Sequence, residues 1–274
     1  MVVLVASSAV SAAPASNPAF AGVGLQDMPM MGCLVYNLIN GAPAKEAGVH
    51  MNDLILSVDG VPLVGATQVP PCNVFQQLVT SHVPGDTIKL DLRRGMDSVQ
   101  IKVTLSSRAE VLHRRYAGKA LGTASLPDAD DPRRTYEFSE LTGHVTVIGF
   151  FHADACTGCA TVFDRLRDDL RDRLHDDAPD VLAVTIQPRS QLQQPQQPMS
   201  PRKLFASSVA LAVAPADGAV DVELLEADRV VFMIVDARGI VRFVSPIAPG
   251  ADDCDAALDE VLAAAEQLAR PLRR

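Results

Sequence analysis

The sequence predicts two units in series: a mainly-β unit with short helices, then an α/β unit built on a mixed sheet. Three observations carry this. Residues 19–107 alternate short apolar runs with turn signals. From Val145 to Phe151 runs an apolar stretch, followed by a loop with Cys156 and Cys159. Apolar residues then recur at helical spacing at Val162, Phe163, Leu166, Leu170 and Leu174. Between these regions lies a stretch rich in charge and breakers, including Leu126-Pro-Asp-Ala-Asp-Asp-Pro132. A chain of 274 residues suffices for two ordinary domains.

Composition narrows the function classes. Hydrophobic residues make up 48%, enough for sizeable cores. The net charge of -9 argues against nucleic acid or an anionic membrane surface as partner. Aromatic residues are 4% with no Trp, which disfavours a stacking platform. The five cysteines, Cys33, Cys72, Cys156, Cys159 and Cys254, are too few for a disulfide scaffold. Residues 1–18 begin apolar and continue small, like the core and Ala-x-Ala end of a secretory signal, but without a basic start. A signal and a disordered Ala/Ser tail both fit. The first implies a periplasmic or other extracytoplasmic protein, the second a cytoplasmic one. No membrane span is expected, because no apolar segment is long enough.

Within residues 19–107, Gly32–Ile39 reads as a strand and Asn40–Pro43 as a turn. Ala44–Gly48 is one helical turn, and Asp53–Val58 a strand ended by the tight Asp59-Gly60 turn. Asn73–His82 forms a short helix with Val74, Leu78 and Val79 on one face. Strands Thr87–Arg93 and Ser98–Leu105 follow, joined around Gly95. The stretch from Gly41 through Gly48 and Asp53 to Gly60, with the later Val83-Pro-Gly-Asp-Thr-Ile, resembles the signature of bacterial PDZ domains. The resemblance covers about 90 residues and implies a PDZ-like β-barrel with short helices. It implies a groove between a strand and a helix that takes a protein or peptide with an apolar C-terminus by strand addition. The carboxylate-binding loop maps to Gly22, Val23, Gly24 and Leu25, where backbone N–H groups form an anion nest. The helix wall maps to Val74 and Leu78, for which a core role is equally open. Cys33 and Cys72 flank this region; a structural disulfide and two free thiols both stay open.

Residues 108–122 carry Arg114, Arg115 and Lys119 with little apolar periodicity and read as a solvated linker. The Gln/Pro stretch 187–201 reads as an exposed loop of the second domain.

Residues 123–270 give the order β-α-β-(α)-β-β-α. The strands are Val145–Phe151, Asp180–Ile186, Arg229–Val235 and Ile240–Val244, and Lys203–Ser208 is a short helix. A closing amphipathic helix, Asp252–Ala269, has Ala256, Leu258, Val261, Leu262, Ala265 and Leu268 as its stripe. This order makes a mixed sheet with helices on both faces. A Cys at a helix start meets unpaired N–H groups that favour the thiolate, and a second Cys one turn on can close a disulfide. Zinc is disfavoured as the motif's purpose, because no second Cys or His pair at ligand spacing follows.

The segment resembles the thioredoxin fold, and more closely its extracytoplasmic redoxin branch, an α/β sandwich. That resemblance implies Cys156 as attacking and Cys159 as resolving cysteine, acting on a disulfide-bearing protein substrate. No cofactor is expected. Several residues depart from the family. Ala155 replaces an aromatic, and Thr157-Gly158 stands between the cysteines. Arg229 and Val230 stand where a cis-proline is usual, which is expected to open space at the sulfurs. Phe150 stands where many members bury an acid, and His152 is a candidate for proton transfer in its stead. Cys254 reads as a free thiol.

Three functions follow. The first is a thiol-disulfide oxidoreductase whose PDZ-like module recruits a partner. The second is a catalytically quiet binding or scaffold protein. The third is soft-metal (copper) handling by Cys156 and Cys159, with His152 as a third ligand.

Overall fold

The structure, a computed structural model, describes residues 18–65, 69–122, 125–131, 133–152, 155–156, 158–187, 210–215 and 229–270. The first unit comprises β1 (Ala19–Phe20), β2 (Val23–Met28), β3 (Gly32–Leu38), α1 (Pro43–Glu46), β4 (Leu54–Val58) and β5 (Val61–Pro62). Then come α2 (Pro71–Thr80), β6 (Thr87–Arg94), β7 (Asp97–Thr104) and β8 (Ser106–Ser107). Its main sheet runs β2-β3-β4-β6-β7, with β5 paired to β4, while β1 and β8 form a separate ribbon. The expected barrel is therefore an open sheet. β2 and β7 are its two edges and are not paired with each other, while Ala19 of β1 lies opposite Ser107 of β8. Alternation along β6 shows how the sequence builds this sheet. Ile88, Leu90 and Leu92 are buried, while the residues between them face outward. They pack with Ile55, Val103, Leu105, Phe75 and Val79 in one core.

The second unit is a five-stranded sheet of order β13-β12-β11-β14-β15, made of β11 (Thr146–Phe151), β12 (Asp180–Gln187), β13 (Ala210–Pro215), β14 (Val230–Val235) and β15 (Val241–Ile247). β11 runs parallel to β12 and antiparallel to β14. A strand buried on both faces reads as a continuous apolar run, and the period of two divides its residues between two cores. Val147 and Phe151 of β11 join Val230, Phe232 and Ile234 of β14 on the face covered by α4 (Cys159–Leu174) and α5 (Cys254–Ala269). Ile148 and Phe150 join Val231, Met233 and Val235 on the other face. Gly149 lies beneath α4, where a Cβ would overlap the Phe163 ring. β13 is a parallel edge strand that sequence reasoning did not anticipate. A small ribbon of β9 (Ser125–Pro127) and β10 (Thr135–Glu137) precedes the sheet.

The stretch read as a solvated linker is instead largely a packed helix, α3 (Arg108–Tyr116). Ser107 caps it through the Glu110 N–H, and the Glu110 carboxylate accepts from the Ser107 N–H, a reciprocal capping box. Val111 and Leu112 are buried in the same core as Ile39 and Ala42 of the first unit and Ile148 and Phe150 of the second. The helix thus cements the two units. Arg115 donates to the Asn40 carbonyl at 3.1 Å, and the next residues pair with β15, Gly118 N–H to the Val241 carbonyl at 2.8 Å. A short apolar pair suffices for this because two neighbouring surfaces flank it, which no periodicity within the segment records. Residues 1–17, most of the Gln/Pro stretch and the short helix expected at Lys203–Ser208 lie outside the described residues. Among the described residues, no helix is long and apolar enough to cross a membrane.

Candidate functional site

β11 delivers the chain to the cysteine loop, and α4 leads it away. The loop folds back on the end of the strand: the carbonyl of His152 accepts from the N–H of Cys156 at 2.9 Å and of Ala155 at 3.2 Å. Cys156 and Cys159 form a disulfide with Cα atoms 5.5 Å apart. The helix begins at Cys159, so Cys156 precedes it rather than starting it. Its sulfur still lies at the helix N-terminus, because it is bonded to the first helical residue. There the unpaired N–H groups favour a thiolate once the bond is reduced. His152 is half-buried at the strand end, and Thr157 lies outside the described residues.

Two expectations about this loop are overturned. The non-proline at Val230 does not open space at the sulfurs. Val230 is fully buried and belongs to the same core as the disulfide, and Cys156 is 3% and Cys159 0% exposed. On the outer side Pro249 covers Gly158, where a Cβ would come 2.6 Å from the proline Cβ. Nor does Phe150 stand in for an acid near the cysteines. It belongs to the opposite core, and Phe151 is the strand residue that shares the cysteines' core. The one-residue difference follows from the alternation of the strand. Among the described residues, His152 joins no three-ligand cluster with Cys156 and Cys159. The cluster found is Asp27, Cys33 and Cys72, and both of its sulfurs are engaged in a Cys33–Cys72 disulfide, Cα atoms 5.3 Å apart.

That second disulfide borders a groove of about 730 Å³ between β2 and α2. β2 is an edge strand, so one side of its backbone is open to pairing. β2 and α2 run in opposite directions. Asp27, near the end of β2, accepts from the N–H of Cys72, near the start of α2, at 2.8 Å. The start of β2 therefore faces the end of α2. Gly22, Val23, Gly24 and Leu25 all line the groove. Gly22 has φ +77°, and a Cβ there would overlap that of Ala42, so the loop closes only with glycine. Its neighbours are held by Ala44 N–H to the Ala21 carbonyl at 2.9 Å and Ile39 N–H to the Gly22 carbonyl at 3.1 Å.

For the helix side the sequence leaves a groove role and a core role both open. Val74 and Leu78 pack against the core of the unit and do not line the groove, whose helix wall is Cys72, Asn73, Phe75, Gln76, Val79 and Thr80. Phe75 and Val79 are the buried residues of α2 and also border the groove, whereas Val74 and Leu78 are half-buried and pack at the edge of the core. Sequence reasoning also missed Asp27, Arg108 and Arg229, the charged residues of the groove. Arg108 lies with its guanidinium 4.2 Å from the centre of the Phe20 ring. Arg229 comes from the second unit, 200 residues along the chain, and no local pattern could have announced it.

Comparison with known proteins fits this division. Residues 14–105 match the family model of the PDZ domain. A DegP-like periplasmic serine endoprotease of Ectopseudomonas mendocina (strain ymp) is 30% identical over 79 residues, which are 29% of this chain and 15% of that protein. The chain thus spans a small part of that relative. Among solved structures, a serine endoprotease from Yersinia pestis is 27% identical over 34% of this chain and 30% of its own, with a TM-score of 0.27. A candidate thiol:disulfide interchange protein DsbE from Chlorobium tepidum is 17% identical over 54% of this chain and 97% of its own, with a TM-score of 0.41. The first unit is a PDZ domain. The second has the strand order and directions of a thioredoxin fold, with β13 added at one edge.

Proposed function

We propose that the chain is an extracytoplasmic thiol-disulfide oxidoreductase that recruits a protein partner through its PDZ groove. The observation that carries this reading is the Cys156–Cys159 disulfide between β11 and α4 at the N-terminus of a helix. In the reduced protein the Cys156 thiolate attacks a substrate disulfide. A Cys156–substrate bond forms and one substrate thiolate leaves. The Cys159 thiolate then attacks the Cys156 sulfur, closing the pair and releasing the second substrate thiolate, so two electrons pass to the substrate. The reverse sequence oxidises a substrate dithiol. Cys156 is assigned the attack because it is the less buried of the two. His152, at the strand end, is assigned the accompanying proton transfer. A second disulfide at Cys33–Cys72 accords with an oxidising compartment.

Burial of both sulfurs favours a second reading, a catalytically quiet scaffold. The metal-handling alternative loses support, since the sulfurs are covered and no third described ligand stands by. One experiment separates the readings. Incubation of Cys159→Ser with a disulfide-bonded model peptide is expected to trap a mixed disulfide at Cys156, and Cys156→Ser is not. His152→Asn is expected to slow the trapping and alter its pH profile. Absence of any trapped species in both cysteine variants would leave the scaffold reading.

A further inference from the structure

We infer that Arg229, carried by the redox unit, receives the terminal carboxylate of a peptide lying in the PDZ groove, so that the two units share one ligand site. The inference rests on the groove reading and names its ligand: an extended peptide with a free α-carboxylate and an apolar last side chain, carrying a basic group upstream.

The charges on the groove are few and polarised. Of its lining residues only Asp27, Arg108 and Arg229 are charged, two cations against one anion on a chain whose net charge is -9. Asp27 is at the far end, beside the start of α2. Arg108 is at the opposite end, over the Phe20 ring. We place Arg229 at that end too, because Val231 shares a core with Ala42, the residue against Gly22. Phe20 packs into the core that contains Val231, two residues on from Arg229, and Arg229 lines the groove together with Phe20, Ala21 and Gly22. The Gly22–Gly24 loop thus lines the same groove as two arginines. Guanidinium is suited to a carboxylate, which it can bind through paired hydrogen bonds.

Polarity sets the direction of the ligand. With its carboxylate at the start of β2, the peptide runs antiparallel to that strand and pairs with its open edge. Val79, Phe75 and Val23 line the groove and supply apolar surface for the last side chain. From Val23 to Asp27 an extended strand covers about 14 Å, so the residue about four positions before the ligand's end comes beside Asp27. A lysine or arginine is favoured there.

The tertiary arrangement has a consequence for the redox unit. Val230, adjacent to Arg229, is paired with Phe151 and buried in the core of the Cys156–Cys159 disulfide. The cationic end of the groove is therefore joined by one peptide bond to the wall of the redox centre.

The test uses the full chain and two pools of random hexapeptides, one with free carboxylates and one amidated, read by fluorescence anisotropy. Wild type is expected to prefer the free acids by at least about tenfold, the worth of one charge-assisted hydrogen bond. Arg229→Gln is expected to remove most of that preference, Arg229→Glu to reverse it, and Arg229→Lys, which keeps the charge, to retain it; circular dichroism checks the fold of each. An undiminished preference in folded Arg229→Gln and Arg229→Glu would overturn the inference and leave the carboxylate to the backbone loop. Equal binding of both pools by wild type would overturn it while leaving a peptide groove. Binding of neither pool would remove the groove reading itself.

Discussion

The guanidinium of Arg94 grips the carboxylate of Asp53 through two hydrogen bonds, Nε to Oδ1 and Nη2 to Oδ2, both 2.8 Å. The same Nη2 reaches the Gly48 carbonyl at 2.9 Å, and the His50 N–H donates to Asp53 Oδ2 at 2.8 Å. The pair therefore ties the turn after α1 to the end of β6.

Burial alone would raise the Asp53 pKa, but Arg94 and the His50 N–H outweigh it and hold the carboxyl below the ordinary carboxylate range. A depressed folded value stabilises the protein above the unfolded pKa of about 3.9, and that contribution is lost as pH falls through the folded value. Urea unfolding followed from pH 7 to pH 2.5 is expected to show this acid-side loss in wild type and a shallower slope in Asp53→Asn. Arg94→Met at pH 7 should cost well beyond the roughly 0.5 kcal/mol of an ordinary surface substitution, since it strands a buried carboxylate. An unchanged midpoint would show that the pair is not holding the turn.

The Cys33–Cys72 bond joins residues 39 apart in sequence, linking the strand beside β2 to the start of α2. Loop-closure entropy for that separation gives a stabilisation of about 4 kcal/mol. The Cys33→Ala/Cys72→Ala double variant should lose most of it in denaturant unfolding, with the Cys156–Cys159 pair still present. Peptide affinity should fall as well, because Cys72 both lines the groove and anchors Asp27. Equal midpoints for the variant and the oxidised wild type would mean that the bond does not form in solution.

Gly149 lets the Phe163 ring of α4 lie directly on the central strand, and an added Cβ would also come 2.8 Å from the Phe232 ring. Gly149→Ala is expected to destabilise by about 1–3 kcal/mol, as overpacking does. Phe163→Leu, which removes the facing ring, should return part of that loss, giving a measurable coupling in a double-mutant cycle. Strict additivity of the two substitutions would show that the sheet and helix do not meet there.

Much of the architecture was legible in the sequence. The strands of both units show because each is either alternating, as in Ile88, Leu90 and Leu92, or a continuous apolar run, as in β11. Helices α4 and α5 show through apolar residues at helical spacing. The α3 helix was also written locally, as the capping box Ser107-x-x-Glu110, but its charged residues masked two buried apolar ones.

The sequence by itself determined the order of elements, the cysteine pair between a strand and a helix, and the glycine loop at Gly22–Gly24, because these depend on residues near one another in the chain. Tertiary structure decided what lies against them. It buried Val230 in the core of the disulfide, set Phe150 and Phe151 into opposite cores, packed Val74 and Leu78 against the core of the first unit and brought Arg229 to the groove. Each of these outcomes rests on how separate elements pack and on which side chains their surfaces meet, and a linear pattern carries periodicity but not the identity of the facing surface.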